Sequence, residues 1–289
     1  MSEKASGALI VCDPLRAAAL HGLSRHLPVI GVISTGRRWL QDGPPLFDSV
    51  PGALDAGADR VVVLSPYPAM ADDIRLCRER HIPVITAGPV PRGVRIPAGD
   101  ILACAAGRWR YLPALARLAE ARHRPSFGTP VFLRHFIGGG TSVLGLWWAA
   151  LEGLELAGGV LGAPRRLWVA ATGGRGRWHA TITVITVDDA SAQLVVTPTA
   201  MPGDEVMLLG TGGLVWGEGV RDAVIEQSDS GVWLLPDDDV WPDGPWAAAA
   251  MAGRDDALKS NLEDSLRLDL LSTLRRATRS GRLESLATG

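Results

Sequence analysis

Residues 8–24, ALIVCDPLRAAALHGLS, read as an apolar strand, a tight turn and an Ala/Leu-rich helix. In a dinucleotide-binding fold that turn carries three glycines, so that backbone and helix N-terminus can approach a pyrophosphate. On that spacing this chain has Cys12, Pro14 and Ala17. Asp13 reads as an N-cap and Pro14 as the first helical residue. Such a start sets a carboxylate where a phosphate would sit and uses up the donors and dipole that bind anions. The fold signal is intact and the usual ligand signal is not.

Outward from this segment, strand and helix alternate. Strands are expected at Ala8–Val11, Val29–Ile33, Arg60–Leu64, Val84–Thr86 and near Ile101–Ala105. Helices are expected near Leu15–Leu27, Ser49–Ala56, Ala69–Glu79 and Leu112–Ala121. Strands apolar throughout, alternating with helices, indicate a parallel sheet covered on both faces. The Pro/Gly-rich run GPVPRGVRIPAG, residues 88–99, bridges to a second pattern. There a long apolar helix at about Ser142–Leu161 leads into alternating strands, Trp178–Val187 and Gln193–Thr197 among them. Polar turns stand at Asp188–Asp189 and Gly203–Asp204, and an amphipathic helix at about Asn261–Arg279 closes the chain with Leu262, Leu266, Leu270 and Leu274 in register. The fold class is therefore α/β: a Rossmann-like parallel-sheet domain over residues 1–106, then an α/β domain with a large, mostly antiparallel open sheet over residues 107–289.

Composition narrows the partners. The chain has 289 residues, enough for two domains and a sizeable core, with 29 basic and 31 acidic side chains and a net charge of −2. That balance offers no nucleic-acid surface and no basic membrane face. Cys12, Cys77 and Cys104 are odd in number and far apart, and read as small buried residues in a reducing compartment. The opening MSEKASG is polar, without the apolar core of a signal peptide. Residues 143–162 are the most apolar stretch, but Glu152 and Glu155 interrupt it; each would cost about 2.5–3.5 kcal/mol at a bilayer centre. A soluble, cytoplasmic protein is expected.

Several segments carry a family resemblance. LFDSVPGALDAGADRVVVLSPYP (residues 46–68), Arg108–Tyr111 followed by a helix and FGTPVFLR (127–134), VMLLGTGGLVWGEG (206–219) and SLRLDLLSTLRRATRSGR (265–282) fall in order along the chain. Together they resemble the Gfo/Idh/MocA family of NAD(P)-dependent oxidoreductases. The resemblance implies a Rossmann-like domain followed by an α/β domain whose open sheet often pairs two subunits. It also implies functional residues that this chain lacks. Met70 stands where the family places a His after the strand ending near Pro66. The family's Glu-Lys-Pro, with its lysine beside substrate and nicotinamide, aligns with Ala87-Gly88-Pro89. The His and Asp of the long second-domain helix, which serve proton transfer and substrate binding, align with Glu152 and Glu155.

The candidate site follows from these positions. Glu152 and Glu155 lie one helical turn apart on one face of an otherwise apolar helix. Two buried carboxylates in contact suit a general acid/base pair or a cationic ligand, so they are the expected catalytic residues. Arg134, His135, Tyr67 and Trp148 are the expected substrate contacts. No cofactor is expected on the primary reading; the alternative is NADP, gripped by Ser34, Arg37 and Arg38 after the second strand. Asp237–Asp239 lack the spaced oxygen ligands of an EF-hand, and no metal site is expected. Arg175 and Arg177 among glycines read as a hairpin tip. The ten tryptophans suit an interface or an aromatic-walled pocket. The expected partners are a small-molecule ligand and a second subunit, identical or related, docked on the open sheet. The expected function is non-redox acid/base chemistry or binding of a small metabolite, with an NADP-dependent carbonyl or imine reductase as the alternative.

Overall fold

In a computed structural model, the described residues are 6–14, 20, 23–36, 43–88, 91, 94, 103–105, 118, 120, 123–138, 140, 142–173, 179–198, 205–218, 223–228, 231–235 and 264–286. Outside them lie Leu15–Ala19 of the first expected helix, nearly all of the helix expected at Leu112–Ala121, Arg37, Arg38, Arg175, Arg177, Trp178, the Gly203–Asp204 turn and Asp237–Asp239. The chain divides into two units. Described residues up to 105 belong to the first, and those from 118 onward to the second.

The first unit is a five-stranded parallel sheet. Its strands are β1 (Gly7–Cys12), β2 (Val29–Ser34), β3 (Ala58–Val63), β4 (Val84–Thr86) and β5 (Ala103–Ala105), in the spatial order β2-β1-β3-β4-β5. All six residues of β1 are buried, as the uninterrupted apolar run requires of a strand covered on both faces. Beyond β2 the chain makes one more parallel contact, Val32 with Leu46. The Val32 N–H donates to Pro45 O and the Phe47 N–H to Val32 O, both at 2.8 Å. Counting that vestige as a strand, the order becomes 3-2-1-4-5-6, the doubly wound dinucleotide-binding arrangement. Helix α1 (Val50–Ala56) begins at Ser49, whose Oγ accepts from Gly52 N. Helix α2 (Met70–Glu79) buries Met70, Ile74 and Cys77, an i, i+4, i+7 stripe.

The second unit is built on a nine-stranded sheet. Its strands are β6 (Pro130–Gly138), β7 (Pro164–Thr172), β8 (His179–Thr186), β9 (Ser191–Thr197), β10 (Glu205–Gly210), β11 (Gly213–Glu218), β12 (Ala223–Ser228), β13 (Gly231–Leu235) and β14 (Glu284–Ser285). They stand in the order β13-β12-β11-β10-β6-β9-β8-β7-β14. Every pairing is antiparallel except β6 with β9. Helix α3 (Val143–Leu161) lies across one face and α4 (Asp264–Ser280) packs beside it over β7 and β14. Ser142 caps α3 by accepting from Gly145 N at 2.9 Å. By length and composition α3 could cross a membrane, yet most of its residues are buried in this unit's own core, together with Leu133, Leu194, Leu208 and Leu274. Its contact with the sheet is so close that a Cβ on Gly153 would stand 2.5 Å from Ile137 Cδ1 and 3.1 Å from Leu194 Cδ1.

The same tightness recurs at Gly210, where β10 passes the buried Phe127 and a Cβ would collide with the Phe127 carbonyl oxygen and ring. Backbone cannot yield as a side-chain tip can. Gly210→Ala is expected to destabilise the second unit by roughly 1–3 kcal/mol, read as a lowered urea midpoint with an unchanged slope.

Candidate functional site

An open parallel sheet offers a ligand the crevice beyond the carboxyl ends of its strands, where neighbouring connections diverge to opposite faces. Here that point lies between β1 and β3. The ladder carries on past the strand ends: Leu64 N–H donates to Val11 O at 2.8 Å and Thr35 N–H to Cys12 O at 3.0 Å. One step further, the Asp13 N–H donates to Ser65 Oγ at 2.9 Å. Asp13 and Ser65 are 2% and 3% exposed. The next residue, Pro14, has no N–H to offer. A dinucleotide pyrophosphate is held by free backbone N–H groups at this turn. Neither described position supplies one, and the buried Asp13 carboxyl group stands beside them. Of the turn, Asp13 and Pro14 are described, and neither leaves a backbone N–H free for a dinucleotide's phosphates.

The polar turn after β2 is local. Ser34 Oγ donates to Gly36 O at 3.0 Å and accepts from Gly36 N at 3.3 Å. Its expected companions Arg37 and Arg38 lie outside the described residues.

Tyr67, an expected substrate contact, spends its hydroxyl elsewhere. It follows β3 and donates to the Asp73 carboxyl group in the first turn of α2. Burial, reinforced by Asp73, drives the Tyr67 phenol well above the usual tyrosine range. Burial also raises Asp73; the Tyr67 bond opposes that shift and the Asp72 charge adds to it. One turn on, burial and then the Asp73 charge push the Cys77 thiol up to about 12. The trio ties the loop after β3 to its helix.

In the second unit the expected residues separate by geometry. Successive side chains on a strand point to opposite faces. His135 therefore joins Leu133 and Ile137 on the buried face, at 1% exposure. Arg134 lies on the other face, its guanidinium carbon 4.4 Å from the centroid of Phe136. The two cannot line one pocket. The register sets Arg134 in a row running Trp216, Met207, Arg134, Gln193, Thr183, Trp168 across six strands. Phe132 and Phe136 flank it on the same face. Trp216 Nε1 donates to Glu205 Oε1 at 3.3 Å and Trp168 Nε1 to Gly281 O at 3.1 Å.

Trp148, Glu152 and Glu155 do share a stripe. At about 100° per residue they fall roughly 140°, 100° and 160° around α3 from Gly153, on the side turned from the sheet. Glu152 is 7% and Glu155 3% exposed, and each has an interaction partner. Trp148 is half-buried. Among the described residues no three His, Cys, Asp or Glu side chains converge as metal ligands. A groove of about 380 Å³ lies between the start of β6, the end of α3 and the β8–β9 turn. Asp188 and Asp189 there are exposed, and Asp189 pairs with Arg165 at 2.6 Å, as in an ordinary solvated turn.

The sequence reading passed over Ser65 and Asp73. Ser65 is signalled only by standing directly after an apolar strand and before Pro66; Asp73 only by its i+4 spacing to Cys77. The buried thiol of this trio has a chemical consequence. With its proton held to about pH 12 and 1% exposure, Cys77 is expected to resist iodoacetamide at pH 8 in the native protein and to react fully in denaturant. Peptide mapping by mass spectrometry reads this out.

Comparison with known proteins sets the fold in context. No protein-family model matches the chain, and no curated protein matches it by sequence. Solved structures do. A proposed oxidoreductase from Thermotoga maritima superposes with a TM-score of 0.67 at 12% identity, covering 98% of this chain and 100% of that one. Levoglucosan dehydrogenase in complex with NADH gives 0.66 at 9% identity, covering 99% and 100%. A myo-inositol dehydrogenase from Corynebacterium glutamicum gives 0.62 at 13%, covering 99% and 100%. From end to end, the chain has the fold of these oxidoreductases.

Proposed function

We propose that this protein is a Gfo/Idh/MocA-type chain that keeps the two-unit fold and has left nicotinamide-linked redox chemistry behind. It handles a small metabolite through Glu152 and Glu155, as a binding protein or a non-redox acid/base enzyme. The observation that carries this reading is the Asp13 N–H spent on Ser65 Oγ beside Pro14. Hydride transfer needs a cofactor held in place, and the described turn has no grip for one. What remains is proton chemistry. Two carboxylates on adjacent turns, in a largely apolar helix, can divide the labour: one oxygen accepts a proton from the ligand while the other carboxyl group returns one. No electrons leave the ligand. The same pair would hold a cationic ligand without reaction.

The alternative is an NADP-dependent reductase. It draws support from the NADH in the levoglucosan dehydrogenase structure and from the Ser34 turn at the end of β2. Calorimetry with NADH and NADPH separates the two. The proposal expects no binding tighter than millimolar, and a micromolar constant for either cofactor would defeat it. In parallel, Glu152→Gln with Glu155→Gln keeps side-chain size and removes charge. Ligand binding or turnover that survives this change in a folded protein would make the pair scaffold.

We further propose that the open sheet face receives a second subunit, and that the protein acts in the cytoplasm. Phe132, Phe136, Met207, Trp216 and Trp168 lie on that face, with Arg134 among them. Aromatic residues, Met and Arg are the side chains enriched in interfaces. Light scattering at low micromolar concentration is expected to exceed the 30.6 kDa of one chain. A single species at that mass, with nothing co-purifying, would refute the pairing.

A further inference from the structure

We infer that Ser65 and Asp13 form an intramolecular clasp that closes the switch point of the parallel sheet and makes Ser65 the residue that bars a dinucleotide. The inference rests on the proposed loss of nicotinamide binding and names its structural agent. β1 and β3 are adjacent parallel strands whose last ladder pair is Val11 with Val63. Leu64 N–H to Val11 O extends the pairing by one bond. Asp13 N–H to Ser65 Oγ extends it by another, now through a side chain. Each bond draws the strand ends together where a crevice would otherwise open between their diverging connections.

The clasp works by supply as well as by position. The Asp13 N–H is the last donor of β1 before a residue that has none, so among the described residues of the turn Ser65 consumes the donor that could serve an anion. An entering phosphate would have to displace a hydroxyl that is 3% exposed and sit beside a carboxyl group that is 2% exposed. Expelling a made hydrogen bond from a buried donor disfavours entry. Glycines at 12, 14 and 17 would restore room and give position 14 an N–H, but would leave the Asp13 N–H bound to Ser65.

The test uses the full chain in two versions. The first carries Cys12→Gly, Asp13→Ala, Pro14→Gly and Ala17→Gly; the second adds Ser65→Ala. NADH binding is measured by calorimetry beside the wild type. The second version is expected to bind NADH at least about tenfold more tightly than the first, in line with release of one hydrogen-bonded donor. Equal affinity in the two versions, or no binding in either, overturns the clasp. Should the multiple variants fail to fold, Ser65→Ala alone decides by hydrogen exchange. Faster exchange of the Asp13 amide, with melting several degrees lower, supports the clasp, and an amide that stays protected refutes it. Micromolar NADH binding by the wild type would instead sink the proposed function, whatever the Ser65 variants show.

Discussion

A sheet of nine strands must bury one of its faces, and here it does so against a helix close enough that a Cβ at residue 153 would press on the side-chain tips of Ile137 and Leu194. That contact sets the rotation of α3 about its own axis. With Gly153 pressed on β6 and β9, Trp148, Glu152 and Glu155 have to emerge on the opposite side. The same burial divides β6 by parity, sending His135 under the helix and Arg134 to the open face. Two carboxylates remain in a core helix although a charge there is costly unless it is partnered. Both are partnered. Their retention on one stripe is hard to ascribe to packing, which apolar residues would serve better.

The first unit is governed by a different account, that of backbone donors at strand ends. A parallel sheet pairs its strands through slanted, evenly spaced bonds and leaves its carboxyl edge with N–H groups to place. Proteins that bind anions there leave those groups free for the ligand. This chain places them internally, on Cys12 O, Val11 O and Ser65 Oγ. Tyr67 hydrogen-bonds to Asp73 at the start of α2. At these described positions the sheet edge is finished by its own residues.

Most of the architecture was legible because burial writes itself into periodicity. β1 is apolar at every position and buried at every position; β8 and β9 alternate in sequence and in exposure. The expected helix limits at Ser49 and about Ser142 fall on the residues that cap those helices. The parallel pairing of β6 with β9 was not visible, since register depends on chain path rather than on residue pattern. Nor was the vestigial strand at Leu46, which is one bridge long and 55% exposed and so leaves no apolar run. Among the site residues, the shared stripe of Glu152, Glu155 and Trp148 follows from helical spacing alone. The Tyr67–Asp73 bond and the Ser65 clasp depend on how a loop turns after β3, and spacing does not encode that.

The position of α4 carries a consequence for synthesis. Its Leu270, Leu274 and Ala277 complete the core that α3 begins, and β14 borders the sheet beside β7, more than a hundred residues upstream. The pairing of β6 with β9 likewise waits for the intervening α3, β7 and β8 to be made. Contacts that distant in sequence form late and slowly. The parallel sheet β1 to β5, all within the first 105 residues, can pair its strands while the ribosome is still at work. The large sheet cannot. Its apolar underside stays open until the last helix arrives, so α4 serves as the closing wedge of a domain that must remain unaggregated in the meantime.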